Sequence, residues 1–243
     1  MPPETVFWIL LIAFFAGLVQ GFTGFGSILL SLPLVMLWLD VRTAVPVTSL
    51  FGALLTVGLV IPLWRHFDWR KFLPLLLGSL PGIPLGVMLL VHLHALWIQR
   101  FVGLVLLLYS LWGFFLASPR TRELGGVWPY GFGFLGGLFG GAISASGPPV
   151  IVYVTLQPWS KDDLKATLQG FFLFSGIVVI FFQAREGLMT GQVLQLFVYS
   201  IIPILAGTWL GHTLYGRLGE RSYRSVVFAM LGLLGIFTLV RSL

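Results

Sequence analysis

Cysteine is absent from all 243 residues, which removes disulfides, thiolate metal sites and sulfur-relay chemistry together and leaves the redox compartment open. Charge is scarce: Asp, Glu, Lys and Arg make up 9% of the chain against 58% hydrophobic residues, and the mean hydropathy is +1.00. A soluble fold of that composition would have nothing to cover itself with, so a soluble enzyme is excluded. The few acids keep to segment ends and loops: Glu4, Asp40, Asp68, Glu123, Asp162, Asp163, Glu186 and Glu220. They offer no carboxylate relay through a membrane centre. His66, His92 and His94 lie in or next to loops and His212 near a segment end, so no metal-ligand spacing emerges and no cofactor is expected. The opening Met1-Pro2-Pro3-Glu4 lacks the positive stretch of a secretory signal, and the apolar run from Phe7 is therefore read as part of the fold.

Apolar sequence is what the chain has in abundance. Between charges run eight segments: 6 to 39, 43 to 64, 72 to 91, 101 to 117, 127 to 158, 166 to 184, 193 to 215 and 225 to 240. A membrane crossing takes about 20 apolar residues, so segments 6 to 39 and 127 to 158 are each too long for one span. Both are interrupted by small residues and proline, at Gly21-Phe22-Thr23-Gly24-Phe25-Gly26-Ser27 and at Gly140 through Pro149. The net charge of +6 comes from Lys and Arg scattered in the short connections, which speaks of membrane topology and not of a nucleic-acid surface.

The two long segments resemble each other. Gly17-Leu18 and Gly21 recur as Gly137-Leu138 and Gly141, an offset of 120 (137 minus 17). Asp40 with Ala44 recurs as Asp162 with Ala166, and Leu80 through Gly86 recurs as Leu205 through Gly211, at an offset of 125 (205 minus 80). An offset that grows in order along the chain is what loop insertions between two copies produce. Residues 1 to 118 and 127 to 243 are therefore read as two repeats of one membrane domain, joined by a loop at 119 to 126.

Lys and Arg then choose between two threadings. If all eight segments simply cross, Arg65, Arg70, Lys71, Arg120, Arg122, Arg185 and Arg241 face one side and the other seven face the opposite one. If each broken segment dips in and returns, only Arg42, Arg100, Arg185 and Arg241 oppose the other ten, a positive-inside bias. The second threading gives an all-α integral membrane protein of two inverted repeats, each a re-entrant or broken helical hairpin followed by three transmembrane helices. Both termini are then expected outside a cell membrane crossed many times. Eight simple spans remain the alternative.

Irregular backbone at membrane depth is tolerated only where protein or a water-filled cavity satisfies it, and matched breaks in two inverted halves point to a midplane substrate site. The arms of the first break are read as about 14 and 12 residues, roughly 21 and 18 Å, so that their tips reach the centre. A helix starting after each tip would aim N–H groups and a positive dipole end at an anion, with Pro148 and Pro149 marking one such start. The candidate binding residues are Gln20, Gly21, Thr23, Gly24, Gly26, Ser27, Thr48, Ser49, Ser144, Ser146, Gly147, Pro148 and Gln169. Gly24 and Gly147 should resist Ala, because a methyl would hold the anion off or oppose a positive φ. The bland alternative for each hydroxyl is a bond to its own helix, and Gly82 with Gly86 and Gly207 with Gly211 read as close-packing positions. The partners expected are a small oxyanion and bilayer lipid, with no nucleic acid; a homodimer is an assembly that this reading allows.

These features together resemble the sulfite exporter TauE/SafE family of anion permeases. Gly-Phe-Thr-Gly-Phe-Gly at 21 to 26 with Pro33 and Ala44 is similar to that family's first signature, and Gly137 to Pro149 to its second; Ser144 and Ser146 stand where glycines would be common. The resemblance implies transport, usually outward, of sulfite, sulfonates or related oxyanions, by a protein that is not an enzyme. An anion channel of the same architecture is an alternative. Another is an intramembrane serine protease using Ser146 and His212, against which the second break at 21 to 27 argues, since a protease has no need of it.

Overall fold

The computed structural model describes residues 1–63, 65, 67–116, 124–214 and 220–242, and only the backbone of 23, 61–63, 116, 214 and 220–226. His66, Arg120, Arg122, Glu123 and Arg217, with the side chains of Thr23, Glu220, Arg221 and Arg224, lie outside the described residues. The described chain is helical, with no strand among the described residues: α1 Pro3–Thr23, α2 Ser27–Val35, α3 Val41–Leu63, α4 Trp69–His92, α5 Ala95–Leu111, α6 Trp128–Ile143, α7 Gly147–Leu156, α8 Lys161–Arg185, α9 Gly191–Leu214 and α10 Glu220–Arg241. A single π turn, Trp112–Leu116, prolongs α5. Each apolar segment is helix, and each of the two long ones is a helix pair. Six helices, α1, α3, α4, α5, α8 and α9, are long and apolar enough to cross a membrane, which makes this an integral, multi-pass membrane protein.

Local chemistry sets the helix starts. The Asp40 carboxylate accepts the Arg42 N–H at 2.9 Å ahead of α3, and Asp68 accepts that of Arg70 at 2.9 Å ahead of α4. At α8 the cap is Ser160, which accepts the Asp163 N–H at 3.1 Å. The recurring Asp-x-x-x-Ala thus belongs to helix initiation: Asp40 precedes its helix, whereas Asp162 lies inside the first turn of α8, where the dipole favours an acid.

Both long segments fold back on themselves. Trp8, near the start of α1, stacks on Trp38, just past α2, with ring centroids 5.5 Å apart and planes 13° apart. At the second hairpin Phe132 of α6 meets Tyr153 of α7 at 5.5 Å, and the Tyr153 hydroxyl and Gln157 amide both donate to the Leu124 carbonyl, at 3.2 and 3.3 Å. The arms are unequal. α1 has 21 residues and α2 nine, so the expectation of arms of about 14 and 12 is corrected: helix runs on through Gly17 to Thr23, and only Gly24, Phe25 and Gly26 break it.

The helices form two compact units. The first comprises 1–51, 93–118 and 190–243, and within it α1 packs along α9 while α5 packs along α10. Gly17 and Gly21 lie against the carbonyls of Ile204 and Thr208, and Gly207 and Gly211 against those of Phe14 and Leu18. The partners rise together, so α1 and α9 run parallel. On α5 and α10 they run opposite, with Gly103 by Gly235 and Leu239, and Gly113 by Phe228. Ser110 donates to the Phe228 carbonyl at 2.7 Å, and Arg100 clasps the Ser242 carbonyl at 3.0 and 3.1 Å.

The second unit comprises 52–92 and 119–189. Here α4 runs parallel to α6, Gly78, Gly82 and Gly86 facing the carbonyls of Tyr130, Phe134 and Leu138, and Gly133, Gly137 and Gly141 facing those of Leu75, Ser79 and Ile83. Lipid tails are as apolar as leucine, so helices in a bilayer associate through close backbone approach, which small residues permit. The close-packing reading of Gly82, Gly86, Gly207 and Gly211 holds, and the same role extends to Gly17, Gly21, Gly137 and Gly141. α4 also runs parallel to α8: Phe72 lies 5.3 Å from Phe174, and Lys71 pairs with Asp163 at 2.8 Å while sitting 5.3 Å over the Trp159 ring.

Candidate functional site

Each break is one tight turn, and the two turns begin alike. Gly24 closes α1 in the left-handed region at φ 78° and donates its N–H to the Gln20 carbonyl at 2.7 Å. Ser144 closes α6 at φ 57° and donates to the Gly140 carbonyl at 2.9 Å. The two positions are 120 residues apart (144 minus 24), the offset of the two sequence repeats. Ser144 is the one non-glycine at positive φ among the described residues.

Beyond that point the tips differ. In the first, Gly26 is again left-handed, at φ 89°, with open space where a Cβ would stand. Leu30 makes the first backbone bond of α2, to the Gly26 carbonyl at 3.2 Å, which leaves the N–H groups of Ser27, Ile28 and Leu29 without an intrahelical acceptor. The side chains nearby staple the turn: Gln20 Nε2 donates to the Gly24 carbonyl at 3.2 Å, and Gln20 Oε1 accepts the Ser27 hydroxyl at 2.8 Å. Gln20 and Ser27 are both buried. This tip therefore presents backbone donors held by an internal side-chain bridge.

At the second tip the donors are of another kind. Ser146 is the cap residue of α7, followed by Gly147, Pro148 and Pro149. A capping hydroxyl accepts from the second or third helical N–H, and here both positions are proline, which has none. Ser146 accordingly makes no capping bond. The two prolines start the helix as expected, but of its first three positions they leave only Gly147 with an N–H, with the half-buried Ser146 hydroxyl beside it. No Lys or Arg occurs in α1, α2, α6 or α7. An anion at either tip would meet N–H and O–H dipoles and the positive end of a helix.

A sequence model of the sulfite exporter TauE/SafE family matches residues 9–238, nearly the whole chain. The chain belongs to the sulfite exporter TauE/SafE family. It is also 26% identical over 170 residues to a protein of Cupriavidus necator named probable sulfite/organosulfonate exporter TauE. That alignment covers 69% of this chain and 66% of the relative, just under two thirds of the latter's length. No solved structure matches. Membership places this TauE/SafE protein in a family named for sulfite export, which gives the serine-protease alternative no support.

The remaining candidates of this TauE/SafE protein take varied places. Thr48 donates to the carbonyls of Ala44 and Val45 at 3.0 and 2.9 Å, and Ser49 to that of Val45 at 3.1 Å; both are buried and turned onto their own helix. Gly21 lies on the α9 face, Gln169 is buried in α8, and Pro148 is buried in the first turn of α7. Gly147 is not at positive φ. A methyl there would touch Ile151 and Phe172 at 3.4 and 3.7 Å, ordinary contact distances. The backbone-strain reason for expecting it to resist Ala is therefore corrected, while at Gly24 that reason stands. Sequence reasoning passes over Ser31, Thr167 and Gln183, which are fully buried with Oγ, Oγ1 and both carboxamide atoms, respectively, lacking a hydrogen-bond partner. Polarity inside an apolar run is their only sequence signal, and Gln183 stands two residues from Arg185, where it reads as a segment end.

Proposed function

We propose that this protein carries small oxyanions, sulfite or organosulfonates foremost, outward across the cell membrane, and that each broken-helix tip offers the anion backbone N–H and hydroxyl donors. The observation that carries this reading is the matched pair of left-handed turns at Gly24 and Ser144, each followed by a helix start, in hairpins without a basic residue. Burying an oxyanion unpaired costs many kcal/mol, and fixed backbone donors at a helix start are a means of avoiding that. The name of the Cupriavidus necator relative supports sulfite and organosulfonates as the first substrates to test.

The transport scaffold is proposed to be two inverted repeats, 1 to 118 and 127 to 243, with both termini outside. Several contacts within the units support it against eight simple crossings. Simple crossings would set Lys71 and Asp163 on opposite faces, yet they pair at 2.8 Å. They would also make α5 and α10 parallel, whereas these run antiparallel with Arg100 on the Ser242 carbonyl. Trp8 on Trp38 likewise suits a segment that returns to its own side.

Flux of radiolabelled sulfite, sulfoacetate and sulfate into proteoliposomes, with and without a pH gradient, tests the function. Saturable flux of the first two with counterflow is expected. Flux of none refutes the reading, and flux that does not saturate replaces the carrier by a channel.

A further inference from the structure

We propose that Gln183 contacts the substrate, its carboxamide donating to the transported oxyanion at the level of the second hairpin tip; the inference rests on the transporter reading above. Gln183 lies on α8 with no solvent exposure, and neither its Oε1 nor its Nε2 has a hydrogen-bond partner in the protein. A buried amide with both ends unpaired calls for a specific explanation. The cost is heightened in a membrane, where surrounding lipid offers no substitute partner.

One register places it. Along α6 and α8, Gly140 is the meeting point of Val179 and Ser146: a Cβ built on Gly140 would stand 3.5 Å from Val179 Cγ2 and 3.2 Å from Ser146 Cβ. Gln183 follows Val179 by one helical turn, on the same side of α8. Helical side chains lean back toward the N-terminus of their helix, which brings the carboxamide toward the level of Gly140, Ser144 and Ser146. Its amide group would add two donors in a fixed plane to a tip from which Pro148 and Pro149 have removed two.

The test is reconstitution of wild type, Gln183→Leu and Gln183→Met, with unfolding temperature measured with and without sulfite or sulfoacetate, and with half-saturation measured from flux. Loss of an unpaired buried carboxamide should leave the anion-free unfolding temperature equal or higher. The half-saturation concentration should rise tenfold or more, and the anion-induced temperature shift should vanish. A variant that folds and keeps the wild-type half-saturation concentration overturns the proposal. So does failure of both variants to fold, which would make the carboxamide a structural group. Absence of flux and of any anion-induced shift in the wild type would refute the transporter reading itself.

Discussion

Gly147→Ala separates binding from folding at the second tip. Gly147 is the first residue of α7, outside the left-handed region, and the added methyl would meet only Ile151 Cδ1 at 3.4 Å and Phe172 Cζ at 3.7 Å. Stability should change little, and can rise by up to about 1 kcal/mol, because Ala is the better helix former. For the anion the change is larger. Pro148 and Pro149 leave Gly147 as the one N–H donor among the first three positions of that helix, and a methyl on it would hold an oxyanion off its N–H. Losing a hydrogen bond to a charged partner costs about 1.5 to 3 kcal/mol, which is roughly a tenfold to hundredfold rise in half-saturation concentration. Thermal unfolding in detergent and sulfite flux in proteoliposomes read the two quantities on one preparation. A variant of wild-type stability and wild-type half-saturation would show that the tip holds no anion.

The same pair of measurements serves three further changes. Left-handed backbone costs a non-glycine residue about 1 to 2 kcal/mol, so Ser144→Gly should be neutral or stabilising while Gly24→Ala lowers stability by about that amount; the reverse order would contradict the φ angles. Ser146→Ala should leave the unfolding temperature unchanged, since no cap is lost, and weaken anion binding by about 0.5 to 3 kcal/mol. Cysteines replacing Lys71 and Asp163 one at a time in this cysteine-free chain should be labelled from one and the same side of the membrane; labelling from opposite sides would restore eight simple spans.

Sequence reading locates the helix breaks because glycine and proline punctuate an apolar run, but it draws the first one too wide. Gly21 looks like a breaker when read alone; packed against the backbone of α9 it is helix, and only Gly24 to Gly26 turn the chain. Hydroxyls are ambiguous for a related reason. Thr48 and Ser27 are equally polar on the page, yet one bonds its own helix and the other bridges to Gln20. The uneven donor supply of the two tips is legible once Pro148 and Pro149 are placed within α7, because proline's missing N–H is a property of the sequence. For Gln183 the sequence shows only a polar residue near a segment end: its burial depends on how the helices around α8 pack, which no local pattern records.

The pairing of α1 with α9 bears on how the chain is made. The glycine face of α1 leaves the ribosome long before the backbone it lies against, Ile204 to Thr208. Until then Gly17 and Gly21 face lipid without the close backbone contact that small residues permit. By contrast α4, α6 and α8 follow one another within 69–185 and can dock during synthesis. A nascent chain halted before residue 191 should therefore hold a settled second unit beside an unclosed first one, and α1 is where quality-control proteases would find their opening.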